Sequence, residues 1–453
     1  MRAILASLLL ILFSIPPAFA ADDLAPNAQQ TRDTGRITAP LSAPNAAEPD
    51  ARPAQVWTLE ASIQRGITVA PELRAAEADI SAHSGNLTEA AAWPNPSIAL
   101  RADQKMGIED GRGGYSLNQV TISQPLPLHR LQHQSRAAEA GLEAARAGER
   151  YQRLLLENRT VQAFHTLQQA AERQLLAQER LTFAEKMQQR NARQTADRLV
   201  RYLSPLERAR LDILRATAHQ DVALAEGKWS ESLAQFRTLL ALPPEAQPET
   251  TRLLPAGAPA ELSALLKQLA HHPALQETQL TRDASLASVE VARAQRLADP
   301  TLSVIHEQDY LAGERRNYTG LMLAVQIPLW NRNDGGVARA RGVADKAEAA
   351  LEIQRRDLSN RLRQAHLHLG HLIEQAEHYR THLLQPARQV LELTQKGYTT
   401  GEQNGLALVD ASNTYFDAQA RYLELLRDAW IEAAELRLAA GMSLLDSSLE
   451  VAP

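Results

Sequence analysis

The second half of this chain repeats the first. "APELRAAEADI" at 70–80 lines up with "HPALQETQLTR" at 272–282, Pro96 with Pro300, and "ISQPLPL" at 122–128 with "VQIPLWN" at 325–331. The offset stays between 202 and 204 residues throughout. Self-similarity held along the whole length means two copies of one structural unit. Each copy reads as a short helix, a proline break, two strands, a second proline break and a very long helical stretch. The first repeat is expected at 56–242 with its strand pair in 97–124, and the second at 263–443 with its pair in 301–327. Residues 243–262 are the connector, in a stretch that carries five prolines, "ALPPEAQPETTRLLPAGAPAEL".

What precedes the repeats is of another kind. "MRAILASLLLILFSIPPAFA" has one arginine, an apolar run from Ile4 to Ile15 and a small-x-small end at Ala18-Phe19-Ala20. Residues 1–20 are therefore expected to be a secretory signal peptide. The apolar run falls short of the ~20 residues that a membrane-spanning helix needs. Residues 21–55 are rich in Pro, Ala and polar side chains and bury too little to offset chain entropy, so a flexible N-terminal tail is expected there. A short C-terminal tail is expected at 444–453. The chain has no cysteine, which removes disulfides, thiolate metal sites and a lipid-bearing cysteine. No run of 18 apolar residues follows the signal, so no transmembrane helix is expected. A net charge of −5 argues against a nucleic-acid partner.

Ala, Leu, Glu, Gln and Arg dominate 131–203, 206–241, 336–396 and 402–441, all strong helix formers. In the third stretch Leu351, Leu358, Ala365, Leu372, Tyr379, Pro386 and Leu393 step by seven, with Leu362, Leu369, Ala376, Leu383 and Val390 as a companion seam. Val409, Phe416, Leu423 and Trp430 do the same in the fourth. Sustained sevens place a narrow apolar seam against a neighbouring helix, as in coiled coils. A helix of about sixty residues runs roughly 90 Å, a length that suits the wall of a tube. Pro386 is expected to kink its helix by removing a backbone hydrogen bond. Leu59, Ile63 and Ile67 recur every four residues and mark the first helical face.

Four segments read as strands: 97–106, 115–124, 301–310 and 317–327, with polar, glycine-bearing turns at 107–114 and 312–317. In the last strand Thr319, Leu321, Leu323, Val325 and Ile327 face one side. Alternation at this length fits a transmembrane β-strand of ~9–11 residues. Pro94 and Pro96, like Pro300, stop a helix and launch a strand, while Pro125 and Pro328 make the reverse change. These prolines mark four crossings between a helical tube and a β-barrel. Four strands cannot close: an open edge in lipid leaves polar groups unpaired at roughly several kcal/mol each. Single-chain barrels start at about eight strands, so two or three copies are required. The strands alone also fit ordinary amphipathic hairpins of a soluble protein, and which face of the first pair meets lipid is not legible. The expected fold is thus mostly α, two-fold repeated, with long coiled-coil helices forming an α-barrel and a membrane β-barrel portion.

Helix, "WPNPSIAL", strand pair, "ISQPLPL", long helices, and the same order again with "VQIPLWNRNDGG" resemble the outer-membrane efflux (TolC-like) proteins over about 56–443. "PELRAA", "QIPLWNRNDGGVARA" and "GYTTGEQNGLALVDA" are most similar to the CzcC-like outer-membrane subunits of heavy-metal efflux systems. The resemblance implies a homotrimer in outer-membrane lipid, its twelve-stranded barrel continuous with a periplasmic α-barrel. It implies a passive duct, docked by a periplasmic adaptor onto an inner-membrane pump of the resistance-nodulation-division type. The family's adaptor-docking tips map to Gly397, Tyr398, Gly401 and Glu402, and in the first half to Tyr202, Leu203 and Ser204, which lack matching glycines. An aspartate that lines the family's closed entrance maps to Asp410, whereas its companion position is Ala407. Three such carboxylates near an axis would favour cations; a solvated helix face accounts for Asp410 equally well.

His371, His378 and His382 lie on one helical stripe at 0, 7 and 11 residues, with His368 beside it. Imidazoles at i and i+4 can share zinc or cobalt. No carboxylate is counted one turn away on that stripe, so a polar face stands beside the metal reading. His271 and His272 are assigned to the short repeat helix. There is no HExxH, no nucleophile–base pair and no Gly-rich phosphate loop, so neither an enzyme nor a cofactor is expected. A TolC-like exporter of polypeptides and a soluble periplasmic coiled-coil scaffold remain as alternative functions.

Overall fold

A computed structural model describes residues 56–103, 117–127, 130–196, 205–311 and 314–445. The expected signal peptide, the N-terminal tail, the loop 107–114 and the candidate tip residues Tyr202, Leu203 and Ser204 lie outside the described residues, as does most of the C-terminal tail. In the first repeat β1 (Val56–Trp57) precedes α1 (Leu59–Val69), α2 (Pro71–Ala91), β2 (Ser97–Asp103), β3 (Leu117–Pro125), α3 (Arg130–Ala196) and α4 (Pro205–Leu239). The connector carries β4 (Glu249–Thr250). Then come α5 (Leu262–Gln268), a short 3-10 turn (Leu269–His271), α6 (Pro273–Ala294), β5 (Thr301–Leu311), β6 (Glu314–Ala324) and α7 (Asp334–Tyr379). A π-helical turn (Arg380–Leu384) leads into α8 (Gln385–Thr400), and α9 (Gly405–Ala440) ends the second repeat.

Local chemistry sets the breaks. Thr58 caps α1 by accepting the Ala61 N–H at 3.1 Å. Pro71, Pro205 and Pro273 each open a helix, where the missing N–H costs nothing. Helix α3, 67 residues long, packs on α2 and α6 along one part and on α4 and α9 along another. The second long element, α7 with α8, packs on α6 and α9. The shorter helices lie end to end beside the long ones. At the α9–α6 joint His272, only 1% exposed, serves both ends. Its Nδ1 accepts the Ala274 N–H at 3.1 Å, and its Nε2–H donates to the Leu438 carbonyl at 2.9 Å. Burial holds the His272 imidazole below its usual pKa, with the Leu438 hydrogen bond opposing. His272 is therefore a joint between helices and not merely a residue of the short one.

The connector is no slack linker. Leu253 and Ala256 sit in the largest core cluster with Leu362, Leu369 and Leu425. Four side chains hold its backbone: Arg237 on the Ala246 carbonyl, Gln168 on Thr251, Trp430 on Leu254 and His366 on Ala260. β1 and β4 add a short parallel pairing.

The heptad seams hold only as far as the π-turn. Leu351, Leu358, Ala365 and Leu372 are buried, as are Leu362, Leu369 and Ala376. Beyond Tyr379 the buried positions are Leu384, Ala387 and Leu391, while Leu383, Val390 and Leu393 are 42%, 51% and 67% exposed. Each seam thus steps by eight once, from Ala376 to Leu384 and from Tyr379 to Ala387. A π-turn holds one extra residue, so every later position rotates past the old stripe. The expected interruption at Pro386 takes this form. The wide turn closes with the Gln385 N–H on the Arg380 carbonyl just before the proline.

The sheet has the order β2-β3-β5-β6 and is antiparallel throughout, with the two repeats meeting at β3–β5. The last strand is Glu314–Ala324, not 317–327, and Glu314–Asn317 belong to it instead of to the turn. Thr301, directly after Pro300, pairs with Ala324. The partner strand has turned away beyond that point, so Val325–Ile327 have no facing strand among the described residues.

Candidate functional site

The register assigns each strand residue to a face. Ile98, Leu100, Val120, Ile122, Leu302, Val304, Leu321 and Leu323 share one face, in rows such as Leu100–Val120–His306–Thr319. Leu100 and Leu321 are both 78% exposed. The other face carries Arg101, Gln119, Thr121, Ser123, Ser303 and Glu307. Ser123 and Ser303 hydroxyls meet at 2.8 Å across the repeat boundary. One face is therefore built for lipid and one for water, and this fixes the orientation of the first strand pair, which sequence left open. Among the described residues, β2 and β6 each have one unpaired edge.

The junction prolines sit where helices change into strands. Pro94 and Pro96 lie in the five residues between α2 and β2, and Gln124 bridges two junctions by donating to the Pro94 and Pro125 carbonyls at 2.9 Å. The Leu126 N–H donates to the Pro300 carbonyl at 2.7 Å. Arg130 grips Asp299 through Nε and Nη2 at 3.1 and 2.8 Å, pinning the start of α3 to the start of β5. Pro328 follows β6, ahead of Asn333, whose positive φ of 56° turns the chain into α7. Sequence reasoning passed over Trp93 and Trp330, 55% and 94% exposed at these junctions. Aromatic rings in that position suit a membrane–water interface, and their place beside the prolines was the available signal.

At the far end, α8 reverses into α9 within four residues, Gly401–Asn404. Gly401 has φ 88°, the left-handed conformation that ends many helices. The Glu402 and Gln403 N–H groups both donate to the Gly397 carbonyl, at 2.8 and 3.0 Å. Asn404 then caps α9 through the Ala407 N–H at 2.9 Å. Gly397, unlike Gly401, does not hold a positive φ. It is helical, and a Cβ there would stand 2.7 Å from Gln403 Cγ. Tyr398 packs on the Met187–Leu391–Leu408 cluster, and Gly401 and Glu402 form the exposed tip. Asp410 is exposed on α9, and its carbonyl accepts the Thr414 hydroxyl. Behind the tip, Arg180 links three helices: it reaches Asp221 on α4 at 2.6 Å and Asn413 on α9 at 2.7 Å.

The histidine stripe divides. His378 and His382 rings lie 4.5 Å apart, both exposed. His371 is two turns earlier, roughly 10 Å along the axis, and among the described residues no three ligating side chains already converge on a metal site. The carboxylate count also needs correcting. Glu374 precedes His378 by four residues, one turn on the same stripe, and lines the same groove. A buried histidine outside the stripe is strongly perturbed. His165, 5% exposed, stacks on Trp430 at 4.7 Å and 13°. Its Nδ1 meets Gln168 Oε1 at 2.7 Å, and Gln168 Nε2 donates to Thr251, so the His165 proton sits on Nδ1. Nε2 has no partner. Burial pulls its pKa from 6.5 to about 4, with the Gln168 hydrogen bond pulling the other way.

Residues 63–242 and 265–442 match the outer membrane efflux protein family. The cobalt-zinc-cadmium resistance protein CzcC of Cupriavidus metallidurans is 27% identical over 430 residues, covering 93% of this chain and 97% of the relative. The nickel-cobalt-cadmium resistance protein NccC of Alcaligenes xylosoxydans xylosoxydans is 27% identical over 307 residues, covering 65% and 66%. Among solved structures, CusC superposes with a TM-score of 0.69 at 17% identity, covering 85% of this chain and 92% of that one. With a lipid-suited sheet face, a repeated helix–strand–strand–helix plan and this match over both repeats, the chain belongs to the outer membrane efflux protein family, as an outer-membrane channel of a tripartite efflux system with a large periplasmic portion.

Proposed function

We propose that three copies of this chain stand around one axis and form a passive duct that carries metal dications out of the cell. The observation that supports this best is the open four-stranded sheet, apolar on one face, with one edge of β2 and one of β6 unpaired among the described residues. In lipid those edges must pair, and β6 of one copy can meet only β2 of another. Such a head-to-tail contact repeats until it closes a ring. Three copies give twelve strands, whereas a pair would give about eight, the lower bound for barrels. The helices carry matching demands. On one flank α4 exposes Leu206, Ile213 and Leu224, and on the other α7 and α8 expose Ile353, Leu367 and Val390. Each strip is apolar and lacks a partner element within the described chain.

In this assembly residues 56–242 and 263–443 are the two repeat units that each copy contributes. The tips at Gly397, Tyr398, Gly401 and Glu402, with Tyr202, Leu203 and Ser204 of the first half, meet a periplasmic adaptor. Asp410 from each copy faces the entrance. Energy comes from an inner-membrane pump of the resistance-nodulation-division type, so the duct itself makes and breaks no bonds. The cargo follows from the names of the relatives, which are cobalt, zinc, cadmium and nickel resistance proteins.

The test has two arms. Mass measurement in detergent after membrane extraction is expected to give three chains; a water-soluble monomer would end the proposal. Deleting the gene is expected to raise cobalt, zinc or cadmium sensitivity without affecting polypeptide secretion. The reverse result would assign the duct to polypeptides.

A further inference from the structure

We propose that His378 and His382 form a two-imidazole surface site for a borderline transition-metal dication, with Glu374 supplying negative charge on the same groove. Neither imidazole is buried, yet the rings sit 4.5 Å apart at 39°. The backbone explains the approach. His382 lies inside the π-turn Arg380–Leu384, and His378 lies in the last turn of α7. In an α-helix residues i and i+4 overshoot one another by roughly 40°, from about 3.6 residues per turn. The wider π-turn reduces that offset, and isolated π-turns occur often at functional positions.

The surroundings favour a cation. Glu374, Gly370 and Ile373 line the same groove, and the connector residues Ala258 and Pro259 wall its other side. Glu377, also on the groove, is taken by Arg380 through hydrogen bonds of 2.9 and 2.6 Å, so it does not compete. Glu374 is exposed, lies one turn before His378 and adds negative charge to the groove. Water completes the coordination. Paired imidazoles suit zinc, cobalt, nickel or copper, whereas magnesium and calcium call for oxygen ligands. An ion held here ties α7 to the π-turn, and so fixes the place where both packing seams step. The site lies outside the tip and the sheet and stands whatever the duct carries.

The experiment is a calorimetric titration of the full-length protein, purified in detergent without a histidine tag, with zinc, nickel and magnesium chlorides. One zinc or nickel site per chain is expected, weakened at least tenfold by His378→Ala or His382→Ala and retained in His371→Ala. Magnesium is expected to give no heat at this site. Zinc is expected to slow amide exchange across 378–386 in the wild type only. The proposal fails if the double variant binds as the wild type does, or if His371→Ala loses binding equally. Circular dichroism and the milder His382→Gln variant separate loss of the site from loss of fold, because His382→Gln keeps the surface polar while removing one imidazole.

Discussion

Lowering the pH should loosen the contact between α3 and α9 through His165. The imidazole is held neutral in the fold at a pKa of about 4, against 6.5 when the chain is open. The unfolded chain therefore binds the proton more readily, and stability is complete above pH 6.5 and lost as pH falls toward 4. The gap of about 2.5 pKa units corresponds to about 3.4 kcal/mol per chain once both states are protonated, of which about 2 kcal/mol is already gone at pH 5. One contact works against this. An imidazolium on the Trp430 face would gain a cation–π attraction of about 1 kcal/mol, enough to lift the midpoint to nearly 5 but not to 6.5. Desolvation wins because the charged ring would present an Nε2–H with no acceptor. Trp430 is itself the probe, since a protonated imidazole stacked on indole quenches its fluorescence. With Trp57, Trp93, Trp229 and Trp330 changed to Phe, emission should fall with a midpoint between pH 4 and 5. The urea midpoint should also drop between pH 7.5 and 5, and less steeply in His165→Gln. A fluorescence midpoint near 6.5, or an equal pH slope in the variant, would refute the burial argument.

At the two helix ends that correspond in the repeats, a methyl group should be unfavourable in both, because both residues hold positive φ. Gly441 has φ 72° and lies so close to His272 that a Cβ would stand 2.9 Å from Cδ2. Gly441→Ala should cost about 2–4 kcal/mol, combining left-handed strain with overpacking, read as a lower denaturant midpoint. Ala241 holds φ 47° with a side chain, so Ala241→Gly should stabilise by about 0.5–1 kcal/mol in the same assay, strain relief exceeding the added chain entropy. Leu321→Arg places a charge on the apolar sheet face at about 2–4 kcal/mol and should reduce recovery in the outer-membrane fraction, whereas Thr121→Lys on the opposite face should not. Gly401→Val should leave membrane recovery intact but impair metal resistance, since a β-branched residue resists φ 88°. Unchanged resistance would remove the tip from the docking surface.

Much of the fold was legible because its signals are local and doubled. Pro94, Pro96 and Pro300 act on their own neighbours, so the helix-to-strand changes could be placed within a few residues. Strand ends were harder, because they depend on the partner. Nothing in 314–327 says that pairing stops at Ala324; that follows from Pro300 and from the Arg130–Asp299 grip, which removes the facing strand. The sidedness of β2 was hidden for a similar reason. "SIALRAD" alternates weakly by itself, and only pairing with Ile122 and Val120 assigns Ile98 and Leu100 to the apolar face. Among the site residues, Gly397 and Gly401 were placed together at the tip, but only Gly401 holds a positive φ, while the small size of Gly397 makes room for the Gln403 side chain. His165 and His272 gave no sequence signal, because a histidine acquires such a role only when another helix covers it.

The π-turn shows how far periodicity can carry. Counting by sevens from Leu351 predicts Leu393 on the packed side, and counting from Leu362 predicts Leu383 and Val390; the composition offers no objection, since all three are apolar. The count fails because Pro386 cannot donate its backbone hydrogen bond, and widening the turn before it satisfies the helix at the expense of register. A sequence that kept its seam inward would then need apolar residues one place later, and Leu384, Ala387 and Leu391 are there. The residues left facing outward are equally apolar. That second set serves no packing within the chain, so its hydrophobicity asks for something outside it, on the flank where a neighbouring copy would bring Leu206, Ile213 and Leu224 of α4. A helix that needed to satisfy only its own molecule would carry polar residues at 383, 390 and 393.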